Sequence, residues 1–107
     1  MVRVVVNPGI CGFRTTIEVR KTAQQKVSVK ISSECDNVYK LGKSLKEISI
    51  WDALKLITES EVYKQASKNS LHPACLVPVG ILKAIEVEAG LALTRDAAIH
   101  FEISTHD

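Results

Sequence analysis

The most restrictive feature of the sequence is a set of three short runs near its start in which apolar and polar side chains alternate. The inward sides of these runs are Val2, Val4 and Val6, then Thr15, Ile17 and Val19, then Val27, Val29 and Ile31. A period of two is typical of strands that bury one face. Residues 22–25 form a polar turn between the second and third runs, which predicts a hairpin. Strands with a single apolar face indicate a mainly antiparallel sheet.

The middle of the chain changes to helical spacing. The segment Ser33-Glu-Cys-Asp has the form of a helix cap, and Ser49-Ile-Trp-Asp repeats it. Apolar residues then recur in three groups, which are Val38, Leu41, Leu45 and Ile48, then Ala53, Leu54 and Ile57, then Val62, Tyr63 and Ala66. A fourth, mostly buried helix is predicted to begin at Pro78 and to end at Gly90.

The end of the chain returns to alternation. Ile99, Phe101 and Ile103 predict a last strand, and residues 91–93 are an alternative site for a short strand. The predicted order is β-β-β-α-α-α-α-β in a single domain over residues 1–107. We therefore expect an α+β fold of two layers, with a mostly antiparallel sheet of about four strands and helices on one face.

Charge and composition narrow the range of partners. The chain has 14 Lys and Arg against 12 Asp and Glu, and only 5% aromatic residues, so a nucleic-acid surface is not expected. No segment approaches the roughly 18 to 20 apolar residues of a membrane span, and the short apolar run at residues 2–6 is not expected to act as a secretory signal. With three cysteines, complete pairing in one chain is impossible. We expect reduced thiols in a cytoplasmic protein, with a homodimer through the polar sheet face as one option.

The cysteines are the main indication of function. Cys11 lies in the loop after the first strand, and Cys35 is expected in the first turn of the first helix. Cys75 lies three residues before Pro78, and His72 lies three residues before Cys75. Strand ends and helix starts can meet at one edge of such a fold. Thiolates and imidazole bind zinc and iron–sulfur clusters. The prediction is a Cys3His site for zinc or an iron–sulfur cluster.

Two alternatives use the same residues differently. A helix N-terminus stabilises a thiolate, so Cys35 or Cys75 is a candidate for a metal-free thiol enzyme or a sulfur carrier. Free cysteine also packs as a small apolar residue, which would leave a binding or assembly module with structural cysteines. His100 and His106 are expected to face solvent. The sequence contains no phosphate-binding loop and no motif of the common hydrolases.

Four segments of the sequence are distinctive: NPGICGF at residues 7–13, SEC at 33–35, HPACLVP at 72–78 and LKAIEVEAGLAL at 82–93. Together they resemble a family of small uncharacterised proteins from methanogenic archaea and anaerobic bacteria. The resemblance extends over nearly the whole chain. That family usually has proline where this chain has Leu76 and Thr94, which affects loop stiffness. The resemblance implies that Cys11, Cys35, His72 and Cys75 act together, and it implies no substrate or reaction.

Overall fold

An antiparallel sheet of four strands forms one layer of the protein. The structure is a computed structural model that describes residues 1–104. The strands are β1 (Val2–Val6), β2 (Thr15–Ala23), β3 (Lys26–Ser32) and β4 (Glu47–Ser49), and they neighbour each other in chain order. Ile17 lies opposite Val4 on one side and Ile31 on the other, so the inward sides of the first three strands coincide. The predicted hairpin of β2 and β3 is confirmed.

Three helices form the second layer. They are α1 (Asp36–Ser44), α2 (Glu61–Lys68) and α3 (Val77–Glu88), with two 3₁₀ turns at Ile50–Leu54 and Ile57–Glu59. Helix α3 packs on β1 and β2, and α1 packs on β3. The predicted α+β fold, with helices on one face of an antiparallel sheet, is confirmed. No helix within residues 1–104 has both the length and the apolar character required to cross a bilayer.

The core lies between the two layers, where α3 approaches the sheet closely. Ile17, Ile81 and Ile85 are fully buried there. Gly80 faces the sheet, and a Cβ added to it would lie 2.6 Å from Val6 Cγ2, which is closer than carbon atoms approach without displacement. The missing side chain therefore lets the first turn of α3 lie directly against the end of β1.

The fourth strand comes from a different part of the chain than predicted. Ile48 was expected at the end of the first helix, but α1 ends at Ser44 and Glu47–Ser49 is β4. Ile48 lies opposite Val27 and is buried. A three-residue step from Leu45 to Ile48 fits helical spacing, yet a short strand after a turn buries the same side chain equally well.

The predicted last strand is wrong for the single chain. Residues 92–104 form neither helix nor strand, and residues 91–93 do not form the alternative strand. The side chains of Ile99, Phe101 and Ile103 are 73%, 93% and 89% exposed. Their alternation indicates which side chains a strand would bury. It does not indicate whether another strand of the same chain is available for the segment to pair with. His100 is exposed as expected, whereas His106 lies outside the described residues.

Candidate functional site

The sheet topology brings two of the cysteine segments to the same end. Strands β1 and β2 meet where Val6 lies opposite Thr15, and β3 ends at Ser32, beside the start of β2. The loop with Cys11 leaves β1 at this point, and the segment with Cys35 leaves β3 at the same end of the sheet. Both cysteines therefore lie in connections that start from the same end of the sheet.

Helix α3 brings the third cysteine to that end. Its Gly80 lies over Val6, so the helix begins above the end of β1. Cys75 lies just before the first helical residue, Val77. We call the group of Cys11, Cys35 and Cys75 the cysteine corner. The three segments that carry these cysteines thus start from the same end of the sheet.

Cys11 is presented on an exposed turn. Gly9 and Gly12 have φ angles of +84° and +73°, which glycine adopts without strain. The N–H of Gly12 donates to the carbonyl oxygen of Gly9 at 3.0 Å, which closes the turn around Ile10 and Cys11. Both of these side chains are exposed. The thiol of Cys11 is therefore open to solvent and to other molecules.

Cys35 is the N-cap of α1, one residue before its expected position in the first turn. Its carbonyl oxygen accepts the N–H of Tyr39 at 2.9 Å, which is the first hydrogen bond of the helix. Its own N–H donates to Ser33 Oγ at 3.2 Å. This hydrogen bond to Ser33 closes a turn directly before the helix. The residue is half-buried at the junction between β3 and α1.

A buried threonine links the Cys11 loop to Cys35. The hydroxyl of Thr15 donates to the carbonyl oxygen of Phe13 at 3.1 Å and is hydrogen-bonded to the hydroxyl of Ser33 at 2.9 Å. Thr15 is completely buried, so the three groups form a closed network beneath the cysteine corner. Sequence reasoning did not assign it a positioning role. The available signal was a polar residue on the inward side of a strand.

Cys75 is half-buried in a turn that precedes α3. Its N–H donates to the carbonyl oxygen of His72 at 3.1 Å, and the side chain of His72 is exposed. Burial raises the pKa of the Cys75 thiol, while a hydrogen bond from the backbone N–H of Val77 lowers it. Cys35 and then Cys11 also raise this pKa, because their negative charge disfavours a second thiolate nearby. The thiols of Cys35 and Cys11 thus lie close enough to Cys75 to affect its ionisation.

The arrangement is not a closed metal shell. Within residues 1–104, no group of three or more Cys, His, Asp or Glu side chains is arranged so that it could hold a metal ion. The structure brings Cys11, Cys35 and Cys75 to one end of the sheet. It leaves His72 exposed, with only its carbonyl oxygen hydrogen-bonded to the cysteine corner.

An open depression of about 460 Å³ lies beside this corner. Its walls are formed by Gly12, Phe13, Arg14, Ser32, Ser33 and Glu34. These residues directly follow Cys11 and directly precede Cys35 in the chain. Both a cation and an anion, Arg14 and Glu34, are among them. The depression is open to solvent and is lined by residues from both cysteine segments.

The fold and the corner define a small α+β domain with three thiols at one end of an antiparallel sheet. Residues 2–101 match the model of a family of unknown function, DUF6951. The chain belongs to this family. No curated protein and no solved structure matches it.

Proposed function

We propose that the cysteine corner binds a thiophilic metal, either Zn²⁺ or an iron–sulfur cluster. Cys11, Cys35 and Cys75 would be the thiolate ligands, with His72 as the candidate fourth ligand. The observation that supports this proposal is the meeting of three cysteines from distant parts of the chain at one end of the sheet. Sulfur ligands favour zinc and iron–sulfur clusters over hard cations.

Electrostatics gives the second support. Thiolates held near one another repel, and this repulsion contributes to the raised pKa of Cys75. A bound cation would reverse it, because metal binding releases thiol protons and neutralises the thiolates. The backbone N–H of Val77 already donates to the Cys75 sulfur. Such N–H donors are a common feature of the surroundings of metal-bound sulfur.

The ligands must close further to bind a metal. Zinc–sulfur bonds are about 2.3 Å long. The three sulfur atoms must therefore come closer together than they are in the metal-free protein, where no group is arranged to hold a metal among residues 1–104. The most exposed member is Cys11, on the turn between Gly9 and Gly12. We infer that binding draws this turn towards Cys35 and Cys75. The metal would then fasten the β1–β2 loop to the starts of α1 and α3.

Metal analysis of anaerobically purified full-length protein tests the proposal. We expect about one zinc per chain, or iron and sulfide in equal amounts, and thiolate-to-cobalt charge-transfer bands on titration with Co²⁺. Each of Cys11→Ser, Cys35→Ser and Cys75→Ser should reduce the intensity of these bands by about a third or abolish binding. Ser67→Ala, on the exposed side of α2, is the control for the serine variants.

The fourth ligand is tested separately. His72→Ala should weaken Co²⁺ binding and shift the d–d bands, whereas His100→Ala, in the exposed segment, should leave both unchanged. The proposal fails if purified protein lacks metal, Co²⁺ produces no charge-transfer bands and the cysteine variants match the control.

The chemistry of free thiols also supports a proposal about the compartment and the host. All three cysteines are free thiols. We propose a reducing cytoplasm, where thiols stay unpaired. An anaerobic archaeal or bacterial host would favour an iron–sulfur cluster over zinc, since exposed clusters persist without oxygen.

A metal-free thiol function is the second candidate, and the position of Cys35 favours it. As the N-cap of α1, Cys35 lies next to unpaired backbone N–H groups and the positive end of the helix dipole. Cys75 is the weaker nucleophile because burial raises its pKa. The rate of Cys35 alkylation against pH tests this candidate. A reactive thiol requires rapid modification near pH 7 in protein shown to be free of metal.

A further inference from the structure

The C-terminal segment of residues 99–103 is rich in large apolar side chains and is not paired with the sheet of its own chain. Ile99, Phe101 and Ile103 alternate with polar residues and are at least 73% exposed. Soluble proteins rarely leave three large apolar side chains in one exposed row, and such rows mark interfaces. The molecule measures 53 × 30 × 24 Å, and its radius of gyration of 14.3 Å exceeds the roughly 13 Å of a globule this size. The segment therefore extends away from its own core.

The sheet has a matching free edge at β1. Among the described strands β1 pairs only with β2, so its other side leaves backbone donors and acceptors unpaired over Val2–Val6. The inward side chains of Val2 and Val4 are only half-buried, whereas Ile17 and Val19, opposite them on β2, are completely buried. The opposite edge, β4, is only three residues long. The core is thus open beside β1, over a length of five residues.

We propose that residues 99–103 of one chain pair antiparallel with β1 of a second copy, and that the exchange is reciprocal. With Phe101 opposite Val4, the side chains of Ile99, Phe101 and Ile103 would cover the open side of the core. Each chain gives one strand and receives one, which closes the dimer about a twofold axis. The sheet of each copy would then have five strands.

Charge on the outer face favours the antiparallel direction. Lys30, Glu18 and Arg3 form a row across β3, β2 and β1, with alternating sign. The antiparallel register places Glu102 next to Arg3, which continues that alternation. Opposite charges on neighbouring strands stabilise a sheet, and like charges destabilise it.

Pairing of the segment with its own β1 is the competing arrangement. Helix α3 ends near the start of β1, where Glu88 lies 3.3 Å from the amino group of Met1. A strand that continued directly from there along its own β1 would run parallel to it and, with Phe101 opposite Val4, would place His100, not Glu102, beside Arg3. The antiparallel direction requires the chain to turn back along β1, whereas the segment of another copy needs no such turn.

Light scattering of the full-length chain across a concentration series tests the proposal. We expect a dimer that Phe101→Asp weakens by about 30-fold or more, the effect of losing an interface anchor. Leu93→Asp, which introduces the same charge at an exposed apolar residue outside the segment, should leave the dimer unchanged. Circular dichroism checks that each variant stays folded. A monomer at every concentration, or a dimer that tolerates Phe101→Asp, would overturn the proposal.

Charge exchange distinguishes a second copy from the same chain. Arg3→Glu and Glu102→Arg should each weaken the dimer roughly three- to tenfold, because each creates a like-charge pair. An equimolar mixture of the two variants should restore it, since both strand contacts in the mixed dimer again join opposite charges. Native mass spectrometry of differently tagged chains identifies the mixed species. If only the double variant restores the original behaviour, and the chain is monomeric, the segment binds its own sheet and the proposal is wrong.

Discussion

Two polar regions of the molecule use their functional groups in opposite ways. In the first, which we call the acid corner, Asp52 is 2% exposed and its carboxylate accepts three hydrogen bonds. Its carboxylate accepts the Ser60 hydroxyl at 2.8 Å and the N–H groups of Glu61 and Val62 at 2.7 and 3.1 Å. In the cysteine corner, by contrast, thiols lie near one another and repel when ionised.

The two corners differ in whether their polar groups are already bonded within the protein. Asp52 satisfies the N-terminus of α2 and lies 3.7 Å from Lys55 Nζ, so its hydrogen-bonding capacity is used. At the cysteine corner one thiol is exposed and two are half-buried. Burial raises the pKa of the Cys75 thiol, so its ionised form is disfavoured in the free protein. The cysteine corner therefore differs from the acid corner in that its groups do not stabilise one another.

The largest expected effect is on stability at the acid corner. Asp52→Ala should lower the free energy of unfolding by about 3 kcal/mol, because it leaves the Ser60 hydroxyl and the N–H groups of Glu61 and Val62 without their acceptor. Cys75→Ala should cost about 1 kcal/mol or less in metal-free protein. Urea unfolding monitored by circular dichroism gives both values. Equal losses in the two variants would make the cysteine corner a structural element, as in an assembly module.

A medium effect is expected in the reactivity of the thiols. In metal-free protein, iodoacetamide should modify exposed Cys11 several-fold faster than Cys75 at pH 8, because burial raises the pKa of Cys75. Cys35→Ser should lower the pKa of Cys75, and Cys11→Ser should lower it less, in line with the order of their contributions. Mass spectrometry of each cysteine peptide against pH measures these rates. A Cys75 thiol that reacts fastest near neutral pH would contradict the comparison.

The smallest effect is expected at Glu88, a carboxylate near the surface that joins the end of α3 to the sheet. It accepts the N–H of Lys21 at 2.8 Å, and this hydrogen bond, more than the nearby amino terminus, lowers its pKa. Its stabilisation is therefore present above the unfolded pKa of about 4.3 and is lost as the pH falls through the lower folded pKa.

Glu88→Gln tests this dependence. The variant should be less stable than the wild type by under about 1 kcal/mol at pH 7, because partly screened surface interactions contribute little. The difference should shrink towards pH 3. Glu86→Gln, on the same helix, controls for the loss of one negative charge. A difference that stays constant between pH 7 and pH 3 would show that Glu88 does not act through its charge.

The fold was largely predictable from the sequence because three strands have clear two-residue alternation. The fourth strand was not, since three residues are too few to show a period and Ile48 also fits the helical series from Leu45. The exposed C-terminal segment has a strand pattern without a strand partner in the same chain. The alternation of apolar residues predicts which side chains could be buried together. It does not predict which strand, of the same chain or of another, they pair with.

For the candidate site, the sequence predicts which chain segments carry the cysteines, but not the distances between the thiols. The sequence places each cysteine at the end of an element, and the topology brings those ends together. Distances between the thiols depend on the register of β1 against β2, on the turn around Cys11 and on the hydroxyls of Thr15 and Ser33. These are long-range and conformational properties, so spacing along the chain does not determine them.

Gly80 connects the packing of the core to the spacing of the sulfur atoms. It lies one turn after Val77, and Cys75 lies two residues before that turn, with Leu76 between them. A side chain at position 80 would have to displace Val6 or the first turn of α3, which Cys75 precedes. Position 80 thus helps to set the distance between the start of α3 and the end of β1 without itself lying at the cysteine corner. A residue with no side chain contributes in this way to where a distant thiol is held.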